Sequence, residues 1–346
     1  MMVQGHTVDS LLSDELRTFD SNFYSIWNTF RGFTAPIFMF TSGVVFTYLL
    51  RLNNLPFAEN PRVKKGFKRF LLLVTLGYLL RYPTYKVFDF SDVTQQQWLV
   101  FFAVDALHLI GFGLLFVLIF AYLGEKFGIK DKFIFLLGTL FFVLLAPFVI
   151  SVDWSKLVSL PLAAYLYHGT GSFFPLFPWA GYVVAGGILG SYLAKNIDAY
   201  SSKKFSYRLF IFGISFIGFS VILNQLGDVL PIAGVTWSNR LSLFLYRIGF
   251  VLVMNGIMSL IAAKVTDIPK IVRQLGRNTL LIYVIHLIIL YGCAWFPGVY
   301  AYYSKSMSLE ITLTAVVLMI FIMTGMVLLV EKVKNIRKNG VSTAAA

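Results

Sequence analysis

The sequence predicts an all-α, polytopic integral membrane protein, and three observations carry that prediction. Of the 346 residues, 58% are hydrophobic and 17% aromatic, and the mean hydropathy is +0.77, far above the range of soluble globular chains. Nine apolar segments follow one another, each of about 16–24 residues, long enough to cross a hydrocarbon core of ~30 Å. Lys and Arg flank these segments on alternate connections only, as in membrane proteins with a defined orientation.

The nine predicted spans divide the whole chain without leaving room for a soluble domain. In chain order we place them at 30–50, 67–82, 107–124, 133–152, 176–194, 208–225, 241–264, 278–296 and 310–331. No connection exceeds about thirty residues and none has an apolar periodicity of its own, so residues 1–346 are predicted to form a single transmembrane domain.

The distribution of basic residues predicts the orientation. The connections that we assign to the cytoplasm hold 21 of the 29 Lys and Arg residues, and basic residues are retained on that face. Residues 1–29 are then extracytoplasmic and 332–346 form a cytoplasmic tail. The +13 net charge is therefore a topology signal, and no basic patch beside a soluble module indicates a nucleic-acid partner. Short loops and the lack of a eukaryotic targeting sequence favour a bacterial inner (plasma) membrane.

The first six residues look like the last turn of a hydrophobic helix. We hypothesise that the gene product starts upstream of Met1 and contributes a tenth span that leads out to His6. The alternative is a natural short N-terminus that crosses the membrane unaided.

Ionisable side chains within spans are costly, so each is a candidate functional residue. With the predicted orientation they lie in the extracytoplasmic third or at mid-membrane: Arg31, Arg81, Asp105, His108, Arg247 and His286. The other two histidines, His6 and His168, lie in segments on the same side. This asymmetry indicates a polar site open to, or just beneath, the outer face.

A structural role remains open for most of these residues. Arg31 and Arg81 can snorkel to the headgroups, and His286 can bond to a neighbouring carbonyl. Asp105 and His108 are three residues apart, so they can form a local pair on one helix face.

Arg247 is different, because an arginine two turns inside a span needs an anionic partner, and Asp105 is predicted to be that partner. A metal site is not expected, since the four histidines lack ligand spacing.

Two further stretches are unusual. Pro175 and Pro178 forbid a regular helix just before Trp179, and irregular backbone at membrane depth is tolerated where it lines a cavity; an aromatic interfacial belt is the alternative. At the cytoplasmic end of the eighth span, Arg273, Arg277 and Asn278 suit a phosphate group at a helix N-terminus. The alternative there is a helix cap with ordinary cytoplasmic charges.

Four collinear motifs resemble signature segments of the bacterial relatives of heparan-alpha-glucosaminide N-acetyltransferase, within the wider transmembrane acyltransferase superfamily. The motifs are RGFTAPIFMF at 31–40 followed by Ser42-Gly43, DALHLIG at 105–111, FFPLFPWAGY at 173–182 and GRNTLLIYVIH at 276–286. The resemblance covers about residues 1–296.

The resemblance implies an integral-membrane acyltransferase of ten or eleven spans. Such an enzyme takes an acyl group, expected to be acetyl, from cytoplasmic acyl-CoA and delivers it to a hydroxyl or amine of a sugar or glycan across the bilayer. His6 occupies the position of a recurring essential histidine, so it is expected to be the base or the residue that carries an acyl intermediate. Asp9 is its orienting group, and His286 is the second catalytic candidate. The usual Asp-x-x-Arg-Gly start of the first span is absent here.

The remaining candidates are assigned to binding. Arg31, Asp105, His108 and Arg247, with the Pro175–Trp179 stretch, are expected to hold the acceptor or to order its cavity. Acetyl-CoA phosphates are expected to meet Arg273, Arg277 and Asn278. The alternative function is a secondary transporter or flippase for a sugar- or lipid-linked substrate, which would need no CoA site.

Overall fold

The computed structural model describes residues 1–18, 22–229, 237–265 and 267–344. These are almost entirely helical, which confirms the all-α prediction. In chain order the helices are α1 (Met2–Leu11), α2 (Asn22–Arg31), α3 (Thr34–Arg51), α4 (Pro61–Leu80), α5 (Gln95–Phe102), α6 (Ala106–Lys126), α7 (Asp131–Ser151), α8 (Leu160–Leu166), α9 (Leu176–Lys195), α10 (Lys203–Val229), α11 (Trp237–Ala262), α12 (Lys270–Arg277), α13 (Thr279–Tyr291), α14 (Tyr300–Tyr303) and α15 (Leu309–Ala344). Two short strands, β1 (Gly292–Cys293) and β2 (Phe296–Pro297), pair antiparallel.

Seven helices are long and apolar enough to cross a membrane, which confirms a polytopic membrane protein. They are Tyr24–Arg51, Ala106–Lys126, Asp131–Ser151, Leu176–Lys195, Lys203–Leu226, Arg240–Ala262 and Leu309–Ile336. The pair Lys270–Arg277 and Thr279–Tyr291, bent by 70°, makes an eighth if it is one span.

The described residues contain seven or eight candidate spans, fewer than the nine predicted, because α4 is not one of them. The predicted span 67–82 belongs to a helix that begins at Pro61, where the Asn60 side chain accepts a hydrogen bond from the Arg62 N–H. The first half of α4 is therefore rich in Lys and Arg, and its hydropathy is too low for a span.

Two predicted boundaries differ from the structure at the end of the chain. The span predicted at 278–296 ends at Tyr291, because Gly292 adopts a φ of 77°, which favours glycine, and the chain turns into the β1–β2 hairpin. By contrast, α15 continues to Ala344, so the described part of the predicted tail 332–346 is helical.

The internal contacts of the chain divide it into two compact units. The terminal unit comprises Met1–Thr34, Thr84–Phe88 and Val265–Ala346, and the central unit comprises Ala35–Pro83 and Asp89–Lys264. The prediction of a single transmembrane domain stays a prediction.

The terminal unit is organised around α1, which packs against α13 and α15. Val8 and Leu12 are buried with Tyr24 and Val316 in one apolar cluster. Backbone hydrogen bonds from Lys305 N–H to the Ser10 carbonyl and from Met307 N–H to the Leu11 carbonyl, each 2.9 Å, fasten the end of α1. The position of α1, and of every side chain it carries, is thereby set.

The central unit packs α3, α6 and α7 against α9 with close backbone approaches. A Cβ atom added at Gly43 would overlap the Val183 carbonyl, and one added at Gly186 would overlap the Phe40 carbonyl. Such approaches bring helices together in lipid, where small residues at the contact allow tight packing.

Candidate functional site

The two histidines predicted to be catalytic, His6 and His286, lie side by side in the terminal unit. Their ring centroids are 5.3 Å apart. His6 reaches this place because α1 packs on α13, and His286 meets it from the buried face that α13 presents with Tyr283 and Leu290. Residues three and four apart on a helix share a face.

Two tyrosines complete the aromatic surroundings of His6. The ring of Tyr283 lies edge-on at a centroid distance of 6.5 Å, and that of Tyr291 at 5.9 Å. The Tyr291 hydroxyl is 3.5 Å from Nδ1 of His6. His6 is half-buried and Tyr291 is 40% exposed, so this cluster opens to the surface of the unit.

His286 is fully buried, and its hydrogen bonding defines its tautomer. Its Nδ1 lies 2.7 Å from the Ile282 carbonyl oxygen, which can only accept, so Nδ1 carries the hydrogen. In the neutral ring Nε2 is then the acceptor nitrogen. Nε2 is buried and has no hydrogen-bond partner within the described residues. A buried acceptor without a partner is costly, which makes this nitrogen a candidate for accepting a hydrogen bond from a bound group.

Asp9, predicted to orient His6, lies one turn further along α1 and holds two arginines. Its Oδ2 is 2.9 Å from Nη2 of Arg31, and its Oδ1 is 3.3 Å from Nη1 of Arg17. The Arg31 guanidinium also lies over the Trp27 ring, 5.6 Å from its centroid. This network ties α1 to α2, and the orientation of His6 by Asp9 stays a prediction.

In the central unit, Asp105 and His108 form the local pair that their spacing predicts. His108 Nδ1 lies 3.0 Å from Asp105 Oδ1, while Asp105 also caps α6 by accepting from the N–H groups of Leu107 and His108. Nε of Arg81 is 3.5 Å from Asp105 Oδ2. The His108 ring is fully buried against Gly77.

Tyr78 and Tyr165 extend this cluster. The Tyr78 ring packs edge-on against His108 at 4.4 Å, and its hydroxyl is 3.0 Å from that of Tyr165. Burial and this hydrogen bond raise the pKa of Tyr165, so its hydroxyl stays protonated and remains a hydrogen-bond donor at physiological pH.

The predicted pairing of Arg247 with Asp105 is wrong. The Asp105 carboxylate contacts His108 and Arg81 instead, and both lie nearer to it in the sequence than Arg247 does. The Arg247 guanidinium instead lies over the Trp179 ring at 5.1 Å from its centroid, and in the part of the chain described here no carboxylate lies within 4.0 Å of it. An aromatic face stabilises a cation without neutralising it.

The stretch around Trp179 has the irregular backbone that its prolines predict. Pro175 precedes the first residue of α9, Phe177 has non-helical angles of φ −100° and ψ 124°, and the Phe177–Pro178 peptide bond is cis. The role of Pro175, Pro178 and Trp179 in a cavity wall stays a prediction.

The residues predicted to meet CoA phosphates lie at the junction of α12 and α13 in the terminal unit. Asn278 is buried, and its amide donates to the Gln274 carbonyl and to Glu331 Oε1, at 2.9 and 3.1 Å, while it accepts from Lys334 at 3.2 Å. Asn278 therefore fastens the start of α13 to α15. Arg273 and Arg277 are exposed, and their contact with phosphate stays a prediction. Across residues 1–18, 22–229, 237–265 and 267–344, no three His, Cys, Asp or Glu side chains form a metal-binding group.

Several residues of the histidine cluster were not identified from the sequence. Tyr283 and Tyr291 were missed because 18 tyrosines in an aromatic-rich chain give no reason to select these two, although Tyr283 stands three residues before His286. Arg17 was missed because its contact with Asp9 depends on the turn after α1.

Comparison with known proteins identifies a family. A family model described as heparan-alpha-glucosaminide N-acetyltransferase, catalytic, matches residues 1–223. No curated protein and no solved structure matches the chain. The matched region holds His6, Asp9, Arg31, the Asp105–His108 pair and the stretch around Trp179, whereas the candidates that follow residue 223 lie beyond it: Arg247, Arg273, Arg277, Asn278 and His286.

Proposed function

The chain belongs to the heparan-alpha-glucosaminide N-acetyltransferase catalytic family, and on that premise we propose that it transfers an acetyl group from cytoplasmic acetyl-CoA to an amine or hydroxyl of a sugar or glycan on the other side of the membrane. The observation that supports the proposal most directly is that the rings of His6 and His286 lie side by side, with their centroids 5.3 Å apart. A bacterial inner membrane with a cytoplasmic C-terminus is part of the proposal.

His6 is proposed to be the general base. Acetyl transfer requires removal of the proton from the acceptor amine or hydroxyl as it attacks the thioester carbonyl and the carbon–sulfur bond breaks, and a histidine suits this task near neutral pH. His6 is half-buried at the open side of the cluster, where an acceptor can approach. The Tyr291 hydroxyl beside its Nδ1 limits the rotation of the ring.

His286 is proposed to be the second base of the site. Its Nε2 is the acceptor nitrogen of a ring whose Nδ1 is held by the Ile282 carbonyl, and the described residues offer that Nε2 no hydrogen-bond partner. An acceptor amine or hydroxyl that donates to this nitrogen would satisfy it, so a proton can reach His286 through the bound acceptor.

The other candidate residues are proposed to position the reactants. Asp9 holds Arg31 and with it the α1–α2 connection, which keeps His6 in place. In the central unit, the uncompensated Arg247 over Trp179 suits an anionic or polar group of the acceptor. Arg273 and Arg277 are proposed to bind the CoA phosphates. Asn278 is proposed to stabilise the α12–α13 junction next to these two arginines.

The test is acetyl transfer in membrane vesicles that contain the protein, with radiolabelled acetyl-CoA and a panel of amino sugars and glycans. We expect label on an acceptor with the wild type and its loss with His6→Ala. His168→Ala is the matched control, because His168 is an exposed histidine whose Nδ1 hydrogen-bonds to the nearby Ser172 carbonyl. Full transfer by His6→Ala would refute the assigned base, and no CoA binding by the wild type would refute the enzyme.

Transport of a sugar- or lipid-linked substrate is the second candidate function. It is favoured by the irregular start of α9, since interrupted helices form binding sites in secondary transporters. Uptake of labelled acceptor into the same vesicles without acetyl-CoA would support transport, and uptake that depends on acetylation would exclude it.

A further inference from the structure

The terminal unit has an open groove of about 500 Å³ between α12 and α15. Its walls combine two lysines with apolar and amide side chains: Lys270, Ile271 and Gln274 from α12, and Leu328, Lys332 and Ile336 from α15. None of these residues belongs to the cluster around His6 and His286.

The helix that forms one wall is strongly amphipathic. At 100° per residue, Lys270, Arg273 and Arg277 fall on one face of α12, opposite Ile271 and Val272. Ile271 is 41% and Val272 53% exposed, so the rest of the unit does not cover this apolar face. The axis of α12 is bent by 70° from that of α13. A short helix with a basic face, an uncovered apolar face and a sharp bend away from a span is suited to lying in the membrane interface.

The two lysines in the groove are charged and uncompensated. Lys270 and Lys332 are exposed, and within the described residues no carboxylate lies within 4.0 Å of either. The neighbouring Lys334 differs, since its Nζ is 2.8 Å from Glu331 Oε1. The groove therefore presents one free cation on each wall, beside apolar and amide side chains.

We propose that this groove binds an anionic phospholipid, with the headgroup phosphate between Lys270 and Lys332 and an acyl chain along Ile271 and Leu328. Basic pockets between membrane helices recognise anionic headgroups in this way. The amide of Gln274 supplies a hydrogen-bond donor to the same headgroup.

The apolar wall distinguishes a lipid from a soluble phosphate compound. Leu328 is 43% and Ile336 61% exposed, and Leu328 lies inside the candidate span Leu309–Ile336. A lipid covers Leu328 with its chain while its phosphate neutralises the lysines. A soluble phosphate compound would satisfy the lysines alone.

The experiment measures phosphatidylglycerol retained by the full chain. The protein is placed in nanodiscs of phosphatidylcholine with a rising fraction of phosphatidylglycerol, and native mass spectrometry counts bound lipid. We expect a Lys270→Gln/Lys332→Gln variant to bind phosphatidylglycerol about 30-fold more weakly, about fivefold for each lysine. Lys130→Gln is the matched control, because Lys130 is an exposed lysine outside the groove, and it should bind as the wild type does. Leu328→Gln tests the apolar wall and should also weaken retention.

Three results would overturn the proposal. Equal retention by the wild type and the double variant would show that the lysines do not bind the lipid. Equal retention of phosphatidylcholine and phosphatidylglycerol would show that the groove does not select an anionic headgroup. Displacement of phosphatidylglycerol by acetyl-CoA or inorganic phosphate would assign the groove to a soluble phosphate group. The first two results leave the proposed acetyl transfer unaffected, whereas displacement by acetyl-CoA would overturn the lipid and support a CoA site at α12.

Discussion

His108 in the central unit and His286 in the terminal unit are alike in burial, and they differ in the group that Nδ1 of each ring contacts. Both are fully buried in helices of apolar sequence, and in the described structure both have an Nε2 without a hydrogen-bond partner. Nδ1 of His108 is held by the carboxylate of Asp105, which Arg81 also contacts. Nδ1 of His286 is held by a backbone carbonyl, and its ring faces a second histidine.

On the proposed function, the difference is between a histidine that joins elements of the fold and one that takes part in the transfer. The carboxylate at His108 also caps α6 and pairs with an arginine. The carbonyl at His286 fixes the ring without adding charge, and the half-buried His6 lies between this ring and the surface of the unit. Burial alone does not distinguish the two histidines, whereas the partners of their ring nitrogens do.

The largest expected effect concerns His286. We expect His286→Gln to lower acetyl transfer by about 10²–10⁴-fold, the usual loss when a positioned proton-transfer group is removed, with little change in thermal unfolding. Transfer assays and unfolding in detergent check both parts. A variant that keeps its transfer activity but unfolds at a lower temperature would show that His286, like His108, has a structural role.

The second effect concerns Asp105 and is a loss of stability. Asp105→Ala leaves Arg81 and His108 without their carboxylate and removes the cap of α6, so we expect the free energy of unfolding to fall by about 3–5 kcal/mol. Asp153→Ala is the control, since Asp153 lies in an exposed loop, and its effect on the free energy of unfolding should be much smaller. Unfolding titrations of the two variants make the comparison; equal losses would contradict it.

Gly77 tests how tightly His108 is confined. A Cβ atom at this position would come within 2.5–2.7 Å of the His108 ring, and overpacking of this kind costs about 1–3 kcal/mol. We therefore expect Gly77→Ala to lower the unfolding temperature. Gly218→Ala, where a Cβ atom would meet nothing within 4 Å, should not lower it. A Gly77→Ala protein as stable as the wild type would show that the ring can move.

The smallest effect on stability is expected at Arg31. Its pair with Asp9 is 2.9 Å long, but the two side chains are 38% and 29% exposed, and such pairs contribute about 0–1 kcal/mol. We expect Arg31→Lys to leave the unfolding free energy within that range while it lowers transfer, because lysine cannot both pair with Asp9 and stack on Trp27 as arginine does. Unchanged transfer would show that the α1–α2 connection does not position His6.

The sequence was sufficient to find the individual polar residues and most of the helices. An ionisable side chain within an apolar segment is conspicuous because of its cost, which selected Asp105 and His286 one at a time, whereas His6 was selected by the family resemblance. The pairing of Asp105 with His108 was also predictable, since it follows from helical spacing. The apposition of His6 and His286 was not, because it depends on the packing of α1 on α13 and the two residues are 280 positions apart in the chain.

Patterns along the chain do not report which helices are neighbours, and this explains the wrong partner of Arg247. Arg247 was assigned to Asp105 because no other acidic residue lies at a similar depth, and the competing Arg81 was judged only as a snorkelling residue. The error at α4 has another cause: its basic first half was assigned to a connection on its charge, although the helix already begins at Pro61.

The close approach of α3 and α9 has a consequence for genetic work on this protein. At Gly43 and Gly186 even a methyl group would collide with a backbone carbonyl of the facing helix. A mutational scan scored by activity alone would therefore rank these glycines beside His6, although they touch no reacting group. Only a parallel score for the amount of folded protein in the membrane would separate the two kinds of intolerant position.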